Sequence, residues 1–360
     1  MESMVIDPAF WNGKNVFLTG HTGFKGSWMS LWLSELGAHV TGYALPPPTE
    51  PSMFQVTKIE SALVNNIHAD IIDANTLVSA MHDSEPDIVI HMAAQSLVRE
   101  SYIEPARTFS TNVMGTVNLF EAIRKTPSVK AVLNITSDKC YDNKEWVWGY
   151  RENDAMGGHD PYSSSKGCAE LVSSAYRRSF FQKAGIALAT ARAGNVIGGG
   201  DWAEDRIIPD AIRAFIAKKP LTVRNPLAIR PWQHVLEPLC GYLILCQQLI
   251  NRPDDFARGW NFGPNSDDAK PVSYLVDCMV NSWGDHASWQ LDEQNHPHEA
   301  NYLKLECSRA NTDLKWRPIW GIDYALSKTV SWYRHWNEKK DMYRFTVNQI
   351  DEYQQAQLNR

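Results

Sequence analysis

The chain has 360 residues, 44% of them hydrophobic and 21% charged, enough apolar content for one large core or two smaller ones. A formal net charge of −6 and a pI of about 6.0 exclude a nucleic-acid coat, which needs a basic excess, but leave room for one local basic pocket. The six cysteines form no CxxC pair and no zinc-binding cluster with histidine, Met1–Phe10 lacks the pattern of a signal peptide, and no long apolar run reads as a membrane span.

In chain order, Asn15–Thr19 reads as a strand, Trp28–Leu36 as a helix and Ala38–Tyr43 as a second strand. The loop through Pro46, Pro47, Pro48 and Pro51 continues neither. Leu77–His82 looks helical, and Ile88–Met92 is a strand with almost no polar residue, as expected when both faces are covered. Phe109–Lys125 reads as a helix, Ala131–Thr136 as a strand, Ser165–Lys183 as a helix and Ala187–Arg192 as a strand. This alternation predicts parallel βαβ units, hence a doubly wound α/β sheet of the Rossmann type over residues 1–194. Beyond Gly194 the rhythm weakens and glycine, tryptophan and proline become frequent. Leu236–Ile250, Pro271–Trp283 and Ile322–Trp336 read as helices and Trp260–Phe262 as a short strand. A smaller mixed α/β substrate domain is expected from residues 195–230 and 263–360, with 231–262 packing back on the first domain.

Three glycines, Gly20, Gly23 and Gly26, follow the first strand as G-x-x-G-x-x-G in Thr19-Gly20-His21-Thr22-Gly23-Phe24-Lys25-Gly26-Ser27. One permits a tight turn, one lets backbone approach a pyrophosphate, and one lets the helix pack close to the sheet. The helix N-terminus then offers free N–H groups to phosphate oxygens. This context marks a dinucleotide site. The phosphate loop of ATPases is excluded, because Lys25 and Gly26 stand in exchanged order. Strand two ends in Tyr43-Ala44-Leu45, without the acidic residue that holds an adenosine ribose or an arginine for a 2′-phosphate. NAD and NADP are therefore not distinguished by these residues. Asp70 is a candidate for the adenine edge or, equally, a strand-end cap.

Tyr162 and Lys166 stand at i and i+4, on one face of a helix. A tyrosine is a poor base at neutral pH, and a neighbouring ammonium plus a positive nicotinamide ring stabilises its phenolate. Ser137, in Thr136-Ser137-Asp138-Lys139-Cys140-Tyr141, falls at a strand carboxyl end, where an active-site hydroxyl belongs.

With these pieces, together with His91-Met92-Ala93-Ala94-Gln95-Ser96, Asn112 and Arg192-Ala193-Gly194-Asn195, the chain resembles the extended short-chain dehydrogenase/reductases over essentially its whole length. Within them it is similar to the nucleotide-sugar 4,6-dehydratases, in the branch acting on a CDP-linked glucose. The resemblance implies NAD as cofactor, held by Gly20, Thr22, Gly23, Phe24, Lys25, Gly26, Asp70, Ile71, Ala93, Ala94, Asn112, Tyr162 and Lys166. It implies that Tyr162, Lys166 and Ser137 serve oxidation at carbon 4, that Asp138 is the acid for the 6-hydroxyl, and that Asn112 bends a helix and orders a proton relay. Lys139 departs from the glutamate of thymidine-sugar relatives. Either Lys139 is a neutral base, its pKa lowered by burial or nearby cations, or a water relays the carbon-5 proton while Lys139 stabilises the enolate.

Gln95 and Ser96 are expected along the sugar and Asn195, Arg230 and Arg206 at the diphosphate, where an arginine fork binds two oxygens at once. Tyr302 and Arg309 are expected at the nucleotide. A cytoplasmic homodimer is implied, with no metal, nucleic acid or membrane partner. A nucleotide-sugar 4-epimerase would share Ser137, Tyr162 and Lys166 without needing Asp138 and Lys139. A non-catalytic dinucleotide sensor would need none of them.

Overall fold

The structure, a computed structural model, describes residues 4–284, 286–292 and 303–359. The apolar segments pair into one seven-stranded parallel sheet. In chain order its strands are β1 (Asn15–Thr19), β2 (His39–Ala44), β3 (Asn65–His68), β4 (Ile88–His91), β5 (Ala131–Ile135), β6 (Ala187–Ala193) and β7 (Gly259–Phe262). Their spatial order is β7-β6-β5-β4-β1-β2-β3. The order reverses between β1 and β4, and the crevice beyond the carboxyl ends there is the ligand position of such sheets.

Strand periodicity divides the core. Val16, Leu18, Ile88, Ile90 and Leu133 join one buried cluster with Trp28, Trp32 and Leu239. Phe17, Val89 and Val132 point to the other face, against Leu119, Phe120 and Leu188. The strands are thus covered on both sides, which is why they read as unbroken apolar runs.

The helix after β1 begins at Phe24, inside the glycine motif and four residues before the sequence pattern announces it. Proline at the first turn and the Asp160 side chain, accepting from Ser163 N, start the helix Pro161–Tyr176 ahead of the expected Ser165. The expected single helix over 109–125 is three pieces: Pro105–Phe109, a π-turn at Ser110–Met114, and Gly115–Arg124. Among the elements that escaped the pattern are β3, whose sequence Asn-Asn-Ile-His is mostly polar, and the helices Ile207–Ile216 and Met342–Leu358.

The chain returns to the main sheet after leaving it. Gly259–Phe262 pairs in register with Thr190–Ala193, and the helix Leu236–Asn251 packs over β5 and β6. Buried Glu237 on that helix accepts from the backbone N–H groups of Ile319 and Trp320 and from Tyr353 Oη, which docks the last helix. Three two-stranded pairs lie outside the main sheet: Val196–Ile197 with Gln233–His234, Ile229–Pro231 with Ala269–Pro271, and Leu221–Val223 with Trp289–Leu291. All six cysteines are unpaired. Among the described residues no helix is long and apolar enough to cross a membrane, and no trio of His, Cys, Asp or Glu is placed to hold a metal ion.

Candidate functional site

At Gly20 and Gly26 the glycine loop has no room for side chains. Gly20 adopts φ +77°, and a Cβ there would lie 2.6 Å from Ala93 N. A Cβ at Gly26 would lie 2.0 Å from the Gly20 carbonyl oxygen. Gly23 caps the helix Phe24–Glu35 with no side-chain hydrogen bond to its first N–H groups. The cradle and the open helix end fit a dinucleotide diphosphate. Thr22 is a tether, its hydroxyl donating to Leu45 O at 2.8 Å.

His21, in the middle of the motif, is fully buried. Its Nε2 lies 2.7 Å from Asn66 Oδ1 and its ring covers Gly42, where a Cβ would fall 2.5 Å from the ring. At the floor, Thr19 Oγ1 accepts from Met92 N and Ala93 N and meets His91 Nδ1 at 2.7 Å. Burial pushes His91 down to about 3, so its imidazole is neutral. These contacts set the backbone of Ala93 and Ala94 against Gly20.

Asp70 and Ile71 are placed differently from the glycines. Exposed Asp70 accepts from Ile72 N at 3.0 Å, the turn-capping role. Ile71 is buried against Gly115 and its carbonyl accepts from Asn118, so its side chain is core.

Asn112 sits in the π-turn, almost fully buried. Its Oδ1 accepts from Gln95 N at 2.9 Å, and its Nδ2 donates to Gln95 O at 2.9 Å and Ser165 Oγ at 2.8 Å. It therefore fixes the loop after β4 to the helix bearing Tyr162. The Gln95 amide is spent on the same loop, donating to Leu97 O and Thr108 Oγ1 and accepting from Leu97 N.

Ser137, Asp138, Tyr162 and Lys166 converge, each less than a tenth exposed. Ser137 shares a hydrogen bond with Tyr162 and donates to Asp138 Oδ1 at 3.0 Å. Burial raises Tyr162 to about 12, opposed by the Ser137 hydrogen bond. Burial lowers Lys166 to about 8, opposed by Cys140 and Glu170, and its Nζ donates to Ile135 O at 3.2 Å. Tyr162 is thus a neutral phenol until more positive charge arrives. Asp138 Oδ2 is buried with no hydrogen-bond partner among the described residues. Lys139 is half-buried, and among the described residues its Nζ has no carboxylate partner.

One further contributor, Tyr242, was not legible in the sequence, and it meets Lys25 of the glycine motif. Lys25 reaches Tyr242 Oη at 3.5 Å, and burial, with Lys166 and Arg206 nearby, lowers it to about 7. Tyr242 comes from the helix Leu236–Asn251, and no local motif marks it.

On the opposite wall, Arg206 donates to Asp201 Oδ2 at 2.8 Å and to Ser96 Oγ at 3.2 Å, and its charge acts on Tyr162. Arg206 thus places a cation, already paired with a carboxylate, within electrostatic reach of Tyr162. Asn195 lies just past β6, with its carbonyl accepting from Gln233 N, and Arg230 pairs across to Lys270. Arg309 lies elsewhere: it donates to Gly259 O, at the amino end of β7, and faces Glu152 at 3.7 Å. Tyr302 falls outside the described residues.

The family model described as GDP-mannose 4,6 dehydratase matches residues 17–329. A curated CDP-glucose 4,6-dehydratase of Salmonella typhimurium is 56% identical over 357 residues, 98% of this chain and 99% of the relative. A probable dTDP-glucose 4,6-dehydratase of Sinorhizobium fredii is 26% identical, covering 88% of this chain and 92% of the relative. Among solved structures, an epimerase of Methanothermobacter thermautotrophicus superposes with a TM-score of 0.80 at 19% identity, covering 93% of this chain and 96% of its own. A dTDP-glucose 4,6-dehydratase of Bacillus anthracis, solved in complex with NAD, gives 0.74 at 19% identity, covering 91% and 99%.

Proposed function

Because the chain belongs to the GDP-mannose 4,6-dehydratase family, within the extended short-chain dehydrogenase/reductases, we propose that it converts CDP-D-glucose to CDP-4-dehydro-6-deoxy-D-glucose and water, with NAD. The CDP-glucose assignment is supported by the 56% identity over nearly all of both chains. Dehydration, rather than epimerisation, is supported by one observation above the others. Asp138 is buried beside Ser137 with an oxygen that no protein group satisfies. An epimerase needs no second acid there.

The glycine cradle and Ala93 hold the cofactor, with Tyr162 and Lys166 at its reactive end. When bound, NAD would supply the acceptor for the carbon-4 hydride and the donor of that hydride to carbon 6. Tyr162 takes the proton of the 4-hydroxyl. Its phenol lies too high to ionise unaided, so the Lys166 ammonium and the positive ring must stabilise the phenolate. Ser137 hydrogen-bonds the same substrate oxygen. The ketone acidifies the proton on carbon 5, Lys139 serves its removal, and Asp138 protonates the departing 6-hydroxyl. Asn195, Arg230 and Arg206 bind the diphosphate, and Ser96 and the Gln95 backbone border the sugar. The adenosine end lies toward Asp70 and the Ile71 backbone.

A homodimer in the cytoplasm belongs to the same reading. Ile103, Met114, Leu171 and Phe180 expose 70%, 51%, 61% and 40% of their surface on the two helical runs beside the sheet, more apolar surface than one subunit covers. Unpaired thiols, none of them exposed, suit a reducing compartment. The test is incubation of purified protein and NAD with CDP-, dTDP-, GDP- and UDP-hexoses, followed by the alkali-induced ultraviolet absorbance of a 4-keto-6-deoxy sugar. A signal with CDP-glucose is expected. A signal only with another hexose overturns the base, and none at all overturns the dehydratase.

A further inference from the structure

Beneath the reactive residues lies a buried ion pair that touches none of the expected ligand positions. Glu170 follows Lys166 by one helical turn and Tyr162 by two, on the same helix face. Glu170 Oε1 accepts from Arg192 Nε at 2.8 Å and Oε2 from Arg192 Nη2 at 2.7 Å, with both side chains 5% exposed. Thr190 Oγ1 on β6 donates to Glu170 Oε2 at 2.8 Å and Arg192 Nη1 to Glu152 O at 3.0 Å, and two further partners of the pair flank Ser137, Asp138 and Lys139. Thr136 Oγ1 donates to Glu170 Oε1 at 2.5 Å, just before Ser137. Arg192 Nη1 donates to Tyr141 Oη at 2.7 Å, just after Cys140, and the guanidinium lies 5.1 Å from the Tyr141 ring centre. Tyr141 Oη in turn donates to Asn261 Oδ1 at 2.7 Å on β7.

A buried ion pair adds little net stability over an apolar pair of similar volume, because desolvation offsets most of the attraction. Its directional bonds do something an apolar pair does not. They pin both ends of the segment from Thr136 to Tyr141 to the helix that presents Tyr162 and Lys166. We propose that Glu170 and Arg192 are positioning residues that hold the acid–base turn in register with the Tyr–Lys helix, Thr136 serving the oxidation end and Tyr141 the elimination end. The proposal rests on the dehydratase reading above.

Displacing a reacting group by about 1 Å costs roughly 100-fold in rate. Thr136→Val keeps the shape of the side chain and deletes one bond to Glu170, and Tyr141→Phe deletes the bond to Arg192. The expected result for Thr136→Val is a kcat lower by about 10- to 100-fold, with KM for the nucleotide-sugar within about twofold and thermal unfolding little changed. Thr136→Ser, which restores the hydroxyl, should recover most of the rate. Tyr141→Phe should slow water loss more than oxidation, so that reduced-cofactor absorbance builds up during turnover. Wild-type kcat in both Thr136→Val and Tyr141→Phe overturns the proposal, as does failure of Thr136→Ser to recover the rate. If Thr136→Val does not fold, the absorbance transient of Tyr141→Phe decides alone. Wild-type protein assayed in parallel separates the two ideas. No product from CDP-glucose is a failure of the substrate reading, and the variants are then measured on the nucleotide-hexose that the wild type does convert.

Discussion

Gly26→Ala is the sharpest perturbation of the cofactor cradle, because two effects of opposite sign compete there. Alanine in a helix is favoured over glycine by about 1 kcal/mol. Against this, the new Cβ would stand 2.0 Å from Gly20 O, 2.7 Å from Gly20 C and 2.9 Å from His21 Cα. Carbon contacts are comfortable near 3.5 Å, so helix and turn must part by about 1 Å or more. All three obstacles are backbone, and no side chain can swing away. Overpacking of this kind costs about 1–3 kcal/mol, so the net loss of stability is at most about 2 kcal/mol. The loss in binding is larger. A hydrogen bond to a charged group is worth about 1.5–3 kcal/mol, and misaiming two N–H groups at the diphosphate removes about 3–6 kcal/mol. At about 1.4 kcal/mol per tenfold, NAD binding should weaken by at least about 100-fold. Calorimetric titration with NAD, beside a thermal melt, measures both quantities. Gly185→Ala is the control: its φ is +72°, nothing lies within 4 Å of its Cβ, and it is remote from the motif. It should lose some stability and no affinity. If Gly26→Ala binds NAD within about threefold of wild type while folded, the cradle is misassigned.

The remaining expectations concern proton transfer, charge and assembly. Asp138→Asn keeps the acceptor for Ser137 but removes the acid; it and Lys139→Ala should still oxidise the sugar while losing about 100-fold or more in water release, and wild-type product formation in either refutes its role. Lys166 is lowered to about 8 from 10.5, so between those pH values the unfolded chain holds a proton that the folded one has released. Stability must therefore rise with pH across that window, and below about 8 the buried charge is a penalty. Lys166→Met removes the group, so the unfolding free energy of wild type relative to this variant should climb by about 2–3 kcal/mol from pH 8 to 10; a flat difference refutes the burial effect. Leu171→Asp, at a site 61% exposed in one subunit, should halve the mass in sedimentation without changing the monomer's fold; an unchanged mass refutes the helical dimer face.

The sheet was legible because its strands are covered on both faces and read as apolar runs. The strand β3 was not, because Asn65 and His68 at its ends are exposed on an edge and carry no apolar period. The helix Met342–Leu358 was missed because its apolar residues are diluted by glutamine and acidic side chains; tertiary partners hold it, Tyr353 bonding Glu237 and stacking edge-on against Trp32. The π-turn at Ser110–Met114 leaves no trace in residue spacing. At the site, motifs of short spacing were readable: Gly20 with Gly26, Tyr162 with Lys166, and Ser137 with Asp138. What joins distant stretches was not. Tyr242 meeting Lys25, Arg206 meeting Ser96, and Asn112 holding Gln95 from both sides follow from packing alone.

Two buried carboxylates lie within the same small region, and residue type alone does not say which one reacts. Asp138 and Glu170 are 2% and 6% exposed, so burial does not separate them. Hydrogen-bond accounting does. Each Glu170 oxygen accepts from one threonine and from Arg192; burial pushes its carboxyl up, and these partners outweigh that and hold it below the usual range. Such a carboxylate is locked as an anion and has neither a proton to give nor a free lone-pair direction facing substrate. Asp138 accepts from Ser137 on one oxygen and from nothing on the other. An unmet buried oxygen costs about 1–3 kcal/mol, and a substrate hydroxyl at this position would supply the missing partner. On the proposed reading the satisfied carboxylate positions and the unsatisfied one reacts, so Asp138→Asn is expected to stop water loss and Thr136→Val only to loosen it.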